Sequence, residues 1–129
     1  MDIPQALRYT ATHEWVADHG DGTASVGITA VASDQLGDMV YVELPKVGAR
    51  FKRGEAAATV ESTKAASDVY APVSGEIIEV NAGLADQPGK VNQAPYAAGW
   101  LFKMRVADPK EAQGLLDADA YRATAGAAP

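Results

Sequence analysis

The residues predict a mainly β fold with short helices, one of them at the carboxy end, on three grounds. Turn-forming residues recur along the chain, with Asp21-Gly22, Pro45, Gly48, Gly54, Pro72 and Gly75 separating short apolar runs. One run, Trp100 to Val106, alternates Trp100, Phe102 and Met104 with Lys103 and Arg105, the period of a half-buried strand. Only two stretches carry helix start and stop signals, and both are short.

In order along the chain, Thr12 to Ala17 reads as a strand and Thr23 to Thr29 as its partner. Between them His19-Gly20-Asp21-Gly22 is turn chemistry, since Asp-Gly supplies the positive φ angles that tight hairpins need. Ala30 to Leu36 is predicted to be a short helix, capped by Thr29 and ended by Gly37 in the left-handed conformation. Met39 to Leu44 is a third strand, closed by Pro45, which cannot donate to a ladder. Lys46 to Gly54 reads as a loop. Ala56 to Ser62 is extended in character, and a second extended run holds Val69-Tyr70. Gly75 to Asn81 continues it beyond a Pro-Val-Ser-Gly turn. Ala82 to Ala98 is rich in Gly, Pro and Asn and should be mainly loop.

Asp108-Pro109-Lys110-Glu111 opens a carboxy-terminal helix: aspartate caps, proline suits the first turn, and Glu111 suits the positive end of the dipole. Ala112, Leu115 and Leu116 share a face by spacing, and Asp117 caps a further short turn leading to Tyr121. A single domain is expected over residues 1 to 122, with the small, weakly patterned residues 123 to 129 as a flexible tail. Val40-Tyr41-Val42 before Pro45 and Gly48 echoes Val69-Tyr70-Ala71 before Pro72 and Gly75, either as internal symmetry or as chance among short strands.

Composition narrows the function. Seventeen carboxylates against eleven Lys and Arg give a formal charge of −6, which argues against nucleic acid as a partner. The same acidity favours steering toward basic docking surfaces. With no cysteine, the chain offers neither a disulfide nor a thiolate, so any thiol chemistry needs an attached group. No apolar run is long enough to span a membrane. The amino end resembles neither a secretion signal nor a transit peptide, and a bacterial cytoplasmic protein is expected. No metal is expected, because His13, His19, Asp18 and Asp21 match no ligand spacing. Asp18 to Gly22 opens no EF-hand either, since the twelfth loop position is Thr29. There is no phosphate loop or dinucleotide fingerprint, and the tryptophans Trp15 and Trp100 read as core or rim packing.

The most informative segment is Val60-Glu61-Ser62-Thr63-Lys64-Ala65, followed by Ser67-Asp68 and Ala71-Pro72-Val73-Ser74-Gly75-Glu76. It sets one lysine in a short polar turn between two extended runs, exposed and isolated at a hairpin tip. Taken alone, such a lysine is equally well a solvated charge that discourages edge pairing. The stretch from Val60 to Asn81, however, closely resembles the lipoylation site of the glycine cleavage system H protein. The resemblance extends to Tyr9-Thr10, Thr12-His13-Glu14-Trp15-Val16, Val26-Gly27-Ile28-Thr29 and Gln35-Leu36-Gly37-Asp38. It continues through Val40-Tyr41-Val42-Glu43-Leu44-Pro45, Val47-Gly48, Val91-Asn92, Pro95-Tyr96 and Gly99-Trp100-Leu101, about residues 7 to 121 in all. A lipoyl domain of a 2-oxoacid dehydrogenase would match only around the lysine. Biotin carriers flank theirs with methionine, whereas Thr63 and Ala65 stand here.

The resemblance implies a barrel-sandwich hybrid of two antiparallel sheets, lipoyl-domain-like, with lipoic acid amide-linked to Lys64. It implies a non-catalytic carrier. Such a carrier takes the aminomethyl group of glycine from the pyridoxal-phosphate-dependent glycine decarboxylase (P protein) to the tetrahydrofolate-dependent aminomethyltransferase (T protein). Dihydrolipoyl dehydrogenase (L protein) then reoxidises it. Lipoate-attachment enzymes are further partners, and a monomer suits a shuttle that several enzymes must release. Glu61, Ser62, Thr63, Ala65 and Asp68 are candidates for recognition by those enzymes, and Glu61 reads equally as a surface charge. Thr12, His13, Glu14 and Asp68 are candidates for docking the loaded arm, with Glu14 able to pair with a cationic amine. Asp68 alternatively braces the turn. The sequence departs from the family at Thr63, where valine is common, and at Ala97-Ala98, where glycine or acidic residues are usual. An H-like paralogue used for lipoate relay or regulation is the alternative.

Overall fold

A computed structural model describes residues 3–125. Nine strands form two antiparallel sheets. The first contains β1 (Arg8–Tyr9), β2 (Glu14–Asp18), β3 (Thr23–Ile28), β5 (Arg50–Phe51), β8 (Gly75–Val80) and β9 (Phe102–Val106), in the order β1-β2-β3-β9-β8-β5. The second contains β4 (Met39–Glu43), β6 (Ala56–Ser62) and β7 (Ala66–Tyr70), with β6 in the middle. Val26, Ile28, Ile77, Phe102 and Met104 of the large sheet share one buried cluster with Met39, Val42, Ala58, Val60 and Val69 of the small one. The sheets therefore pack face to face over a common core, as sandwich sheets do. A second cluster, built from Ile3, Tyr9, Trp15, Val31, Ala118 and Tyr121, lies against the amino-terminal strands.

Helices fill the corners. In α1 (Ala30–Leu36) the Thr29 side chain accepts from the Ala32 N–H, and Gly37 ends the helix at φ 84° and ψ −161°. The positive φ fits the glycine stop, but ψ lies far from the left-handed helical value that was expected. The region 82–98 holds a 3-10 turn at Ala82–Ala85 and α2 (Lys90–Gln93) within its loop.

At the carboxy end, α3 (Pro109–Gln113) is capped by Asp108 and opened by proline, as its sequence requires. It stops before Leu115 and Leu116, which therefore do not share its face. Leu116 instead bridges Tyr9, with backbone bonds of 2.8 and 2.9 Å in the two directions, and turns the chain into α4 (Ala118–Ala125). Helix α4 includes residues 123 to 125, which were expected in the tail; 126 to 129 lie outside the described residues.

Other boundaries also differ from expectation. The strand read from Trp100 begins at Phe102, and Trp100 packs against the second cluster rather than beside Phe102 and Met104. The strand predicted from Thr12 begins at Glu14, because Thr10 to His13 form the turn between β1 and β2, with His13 at φ 72°. The predicted 46–54 loop contains the two-residue β5, too short to leave a pattern, which pairs with β8 through Arg50↔Glu76 and Phe51↔Gly75.

Candidate functional site

Strands β6 and β7 pair with Thr59 opposite Asp68, Val60 opposite Ser67 and Glu61 opposite Ala66, leaving a turn from Ser62 to Ala65. Ser62 braces that turn. Its N–H donates to the Ala65 carbonyl at 2.8 Å, and its hydroxyl oxygen accepts from the N–H groups of Lys64 and Ala65, each at 3.1 Å. This local pairing is what serine offers a tight turn. Glu61, Thr63, Lys64, Ala65 and Asp68 are all exposed. Asp68 accepts from the Thr59 hydroxyl across the strands at 3.3 Å, so it braces the hairpin stem.

The tip is exposed, but it is not isolated, which corrects the sequence reading. The Thr63 N–H donates to the Asp38 carbonyl at 3.1 Å, and the Lys64 stem lies over Gly37. A long-range rest of this kind leaves no mark in the local sequence.

Beyond the other end of β7 lies a cleft of about 300 Å³, bounded by the β1–β2 turn, Arg53-Gly54, Tyr70 to Pro72 and Gly114 to Leu116. Thr12 and Glu14 line it. Glu14 is 2% exposed, so it is not a solvated strand residue. Its Oε1 accepts from the hydroxyls of Thr10 and Thr12, each at 2.5 Å, and its Oε2 accepts from the Tyr70 N–H at 3.3 Å. Burial pushes the Glu14 carboxyl above its ordinary value, and these hydrogen bonds oppose the shift without cancelling it. Thr10 and Tyr70 were missed by the sequence reading. The run Thr10-x-Thr12-x-Glu14 hinted at the first of them; the second comes from the other sheet.

His13 and Asp68 do not line that cleft. The His13 ring faces away, its Nδ1 2.6 Å from the Tyr121 hydroxyl, which also lies 2.7 Å from the Thr29 hydroxyl. Burial pushes the Tyr121 phenol up to about 12 and lowers the His13 imidazole, so both are neutral at pH 7. His19 is bonded to Ser25, Asp18 to the Gly20 N–H and Asp21 to Thr23.

Two facing antiparallel sheets with one lysine presented at a hairpin turn define a lipoyl-domain-like, lysine-presenting domain. Comparison with known proteins makes the assignment specific. A family model described as Glycine cleavage H-protein matches residues 7–127. A glycine cleavage system H protein of Sodalis glossinidius (strain morsitans) is 56% identical over 122 residues, 95% of this chain and 93% of that one. One from Laribacter hongkongensis (strain HLHK9) is 53% identical over 125 residues, covering 97% and 98%. The crystal structure of a glycine cleavage system H protein from Mycobacterium marinum superposes with a TM-score of 0.87 at 43% identity, over 96% of this chain and 99% of that one. The chain belongs to the glycine cleavage H-protein family.

Proposed function

We propose that this chain is the lipoyl carrier of the glycine cleavage system, with lipoic acid amide-linked to Lys64. The observation that carries the reading is the position of Lys64: one exposed amine at a serine-braced turn, in a chain of this family. The residues fit the group. The Lys64 amine is open to an attachment enzyme, with Ser62, Thr63 and Ala65 beside it in the turn and Glu61 and Asp68 on the strands that carry the turn, as candidates for recognition. When attached, lipoic acid supplies a disulfide that accepts a carbon unit and leaves a dithiol for reoxidation.

The chain's own residues then hold and protect the cargo. Amide formation removes the Lys64 charge, so the tip no longer favours water as strongly. Glu14 offers a carboxylate to a cationic amine, and Thr10 and Thr12 fix its Oε1. Burial raises the carboxyl's proton affinity, and a cation beside it would favour the ionised form. His13 takes no part in this, since its ring is bonded to the Tyr121 hydroxyl outside the cleft. Tethering keeps the group at a high effective concentration at each partner's active site.

On this reading the carrier works as a monomer in the bacterial cytoplasm, released in turn by the decarboxylase, the aminomethyltransferase and the dihydrolipoyl dehydrogenase. The test is glycine–CO₂ exchange reconstituted with the pyridoxal-phosphate-dependent decarboxylase. Lipoylated wild type should support exchange and Lys64→Ala should not. A lipoylated wild type that supports none would point instead to the relay paralogue.

A further inference from the structure

The Ser62 bonds brace the hairpin turn within itself, but they do not fix where the turn lies relative to the body of the protein. That is done by the pairing of β6 with β4, which reaches Met39↔Ser62, and by the corner between α1 and β4 that carries it on to Thr63. The Asp38 carbonyl accepts from the Thr63 N–H at 3.1 Å. The missing side chain of Gly37 makes a floor for the lysine: a methyl group there would stand 3.1 Å from Lys64 Cε and 3.8 Å from Nζ.

Asn92, half-buried on α2, holds that corner from the far side. Its Oδ1 accepts from the Met39 N–H at 2.9 Å, and its Nδ2 donates to the Gly37 carbonyl at 2.8 Å and to Ser33 Oγ at 3.1 Å. The amide orientation follows from its partners, since a backbone N–H only donates and a carbonyl only accepts. Asn92 thus grips the residues on both sides of Asp38. The Asp38 carbonyl and the Met39 N–H belong to one peptide unit, which is planar and trans, so they point in opposite directions. Holding the N–H on Asn92 therefore aims the carbonyl at Thr63.

We infer that Asn92, through the Asp38–Met39 peptide and the Gly37 floor, is a positioning residue for the acylation of Lys64. The inference rests on Lys64 being the attachment lysine. In that reaction the deprotonated Nζ attacks the carbonyl carbon of an acyl adenylate. The N–C amide bond forms, the acyl C–O bond to phosphate breaks as adenylate leaves, and the nitrogen's proton passes to solvent. Asn92 touches none of these atoms. It fixes the reach and direction of the amine.

The experiment follows lipoylation of the intact apo chain by a purified lipoate–protein ligase supplied with lipoyl adenylate, read by intact mass. Asn92→Ala removes all three of these hydrogen bonds and should lower kcat at least about fivefold with KM little changed. Gly37→Ala should lower kcat likewise, chiefly by straining the corner at φ 84°, a conformation that alanine rarely adopts, while the flexible lysine stem gives way. In parallel, hydrogen exchange at the Thr63 amide should quicken about fivefold in Asn92→Ala, relative to the Ser62 amide inside the turn. Wild-type kcat in Asn92→Ala overturns the inference, whatever its melting temperature. A Thr63 amide that exchanges in wild type as freely as an open turn also overturns it, without recourse to any variant. A wild type that gains no lipoyl mass at Lys64 overturns the carrier reading and this inference with it. A lipoylated wild type with an indifferent Asn92→Ala overturns the inference alone.

Discussion

Glu14 is taken out of water by folding and kept there by two threonine hydroxyls and one strand amide. Its folded pKa lies above its unfolded value, so the folded state binds the proton more tightly. Stability contributed by this group is therefore complete at low pH and falls as pH rises from about 4.5 through the raised folded value. Glu14→Gln removes that loss. Its melting temperature relative to wild type should become more favourable between pH 4 and pH 7, measured by thermal unfolding at each pH. A difference that does not change with pH would contradict the assignment. Tyr121→Phe keeps the ring stacked 4.7 Å from that of Tyr9 but removes the hydroxyl shared with His13 and Thr29. Denaturant unfolding should show a cost of about 1 kcal/mol, since half-buried His13 loses its partner while Thr29 keeps its bond from the Ala32 N–H. The sequence displayed Glu14 as a docking candidate without revealing its burial, because three of its contacts depend on a turn and a neighbouring sheet. His13 was misplaced for a related reason: its positive φ turns the ring toward α4.

Among the elements, the hairpin of β6 and β7 was the most legible, because a polar turn between two extended runs has a local signature. Helices α1 and α3 were equally open to reading, since Thr29 and Asp108 cap them with their own side chains. Strand β5 and helix α2 were not. Two residues and four residues fall below the length at which periodicity speaks, and tertiary pairing decides them. The end of α3 was overrun for the same reason, since Leu116 is claimed by its bridge to Tyr9. Close strand packing yields a prediction here. A methyl group on Gly75 would lie 2.2 Å from the Arg105 carbonyl oxygen, a backbone atom that cannot swing aside. Gly75→Ala must push β8 from β9 and should destabilise the fold by about 1–3 kcal/mol, measured by denaturant unfolding. A neutral effect would mean that the two strands do not approach as described.

As a whole, the molecule is two sheets over one core, with a smaller aromatic cluster closed by α4. Tyr121 and Ala118 are the parts of α4 that enter this cluster, alongside Tyr9, Trp15 and Ile3. Tyr121→Ala should therefore cost about 3–5 kcal/mol, well beyond Tyr121→Phe, because it opens a cavity as well as removing a hydroxyl. The lysine hairpin and the Glu14 cleft lie toward opposite ends of β7, one at its turn and the other beside Tyr70. A strand of five residues spans about 17 Å, so on the carrier reading a group tethered at Lys64 would cross that distance to reach the cleft. Among the described residues no helix is long and apolar enough to cross a membrane. The most direct measurement is an intact mass and peptide map of the chain made with lipoate and a competent ligase present. One added lipoyl group should appear, confined to the peptide bearing Lys64, and Lys64→Arg should abolish it while leaving the melting temperature unchanged. An unmodified wild-type chain, or a lipoyl group on any other lysine, would contradict the account.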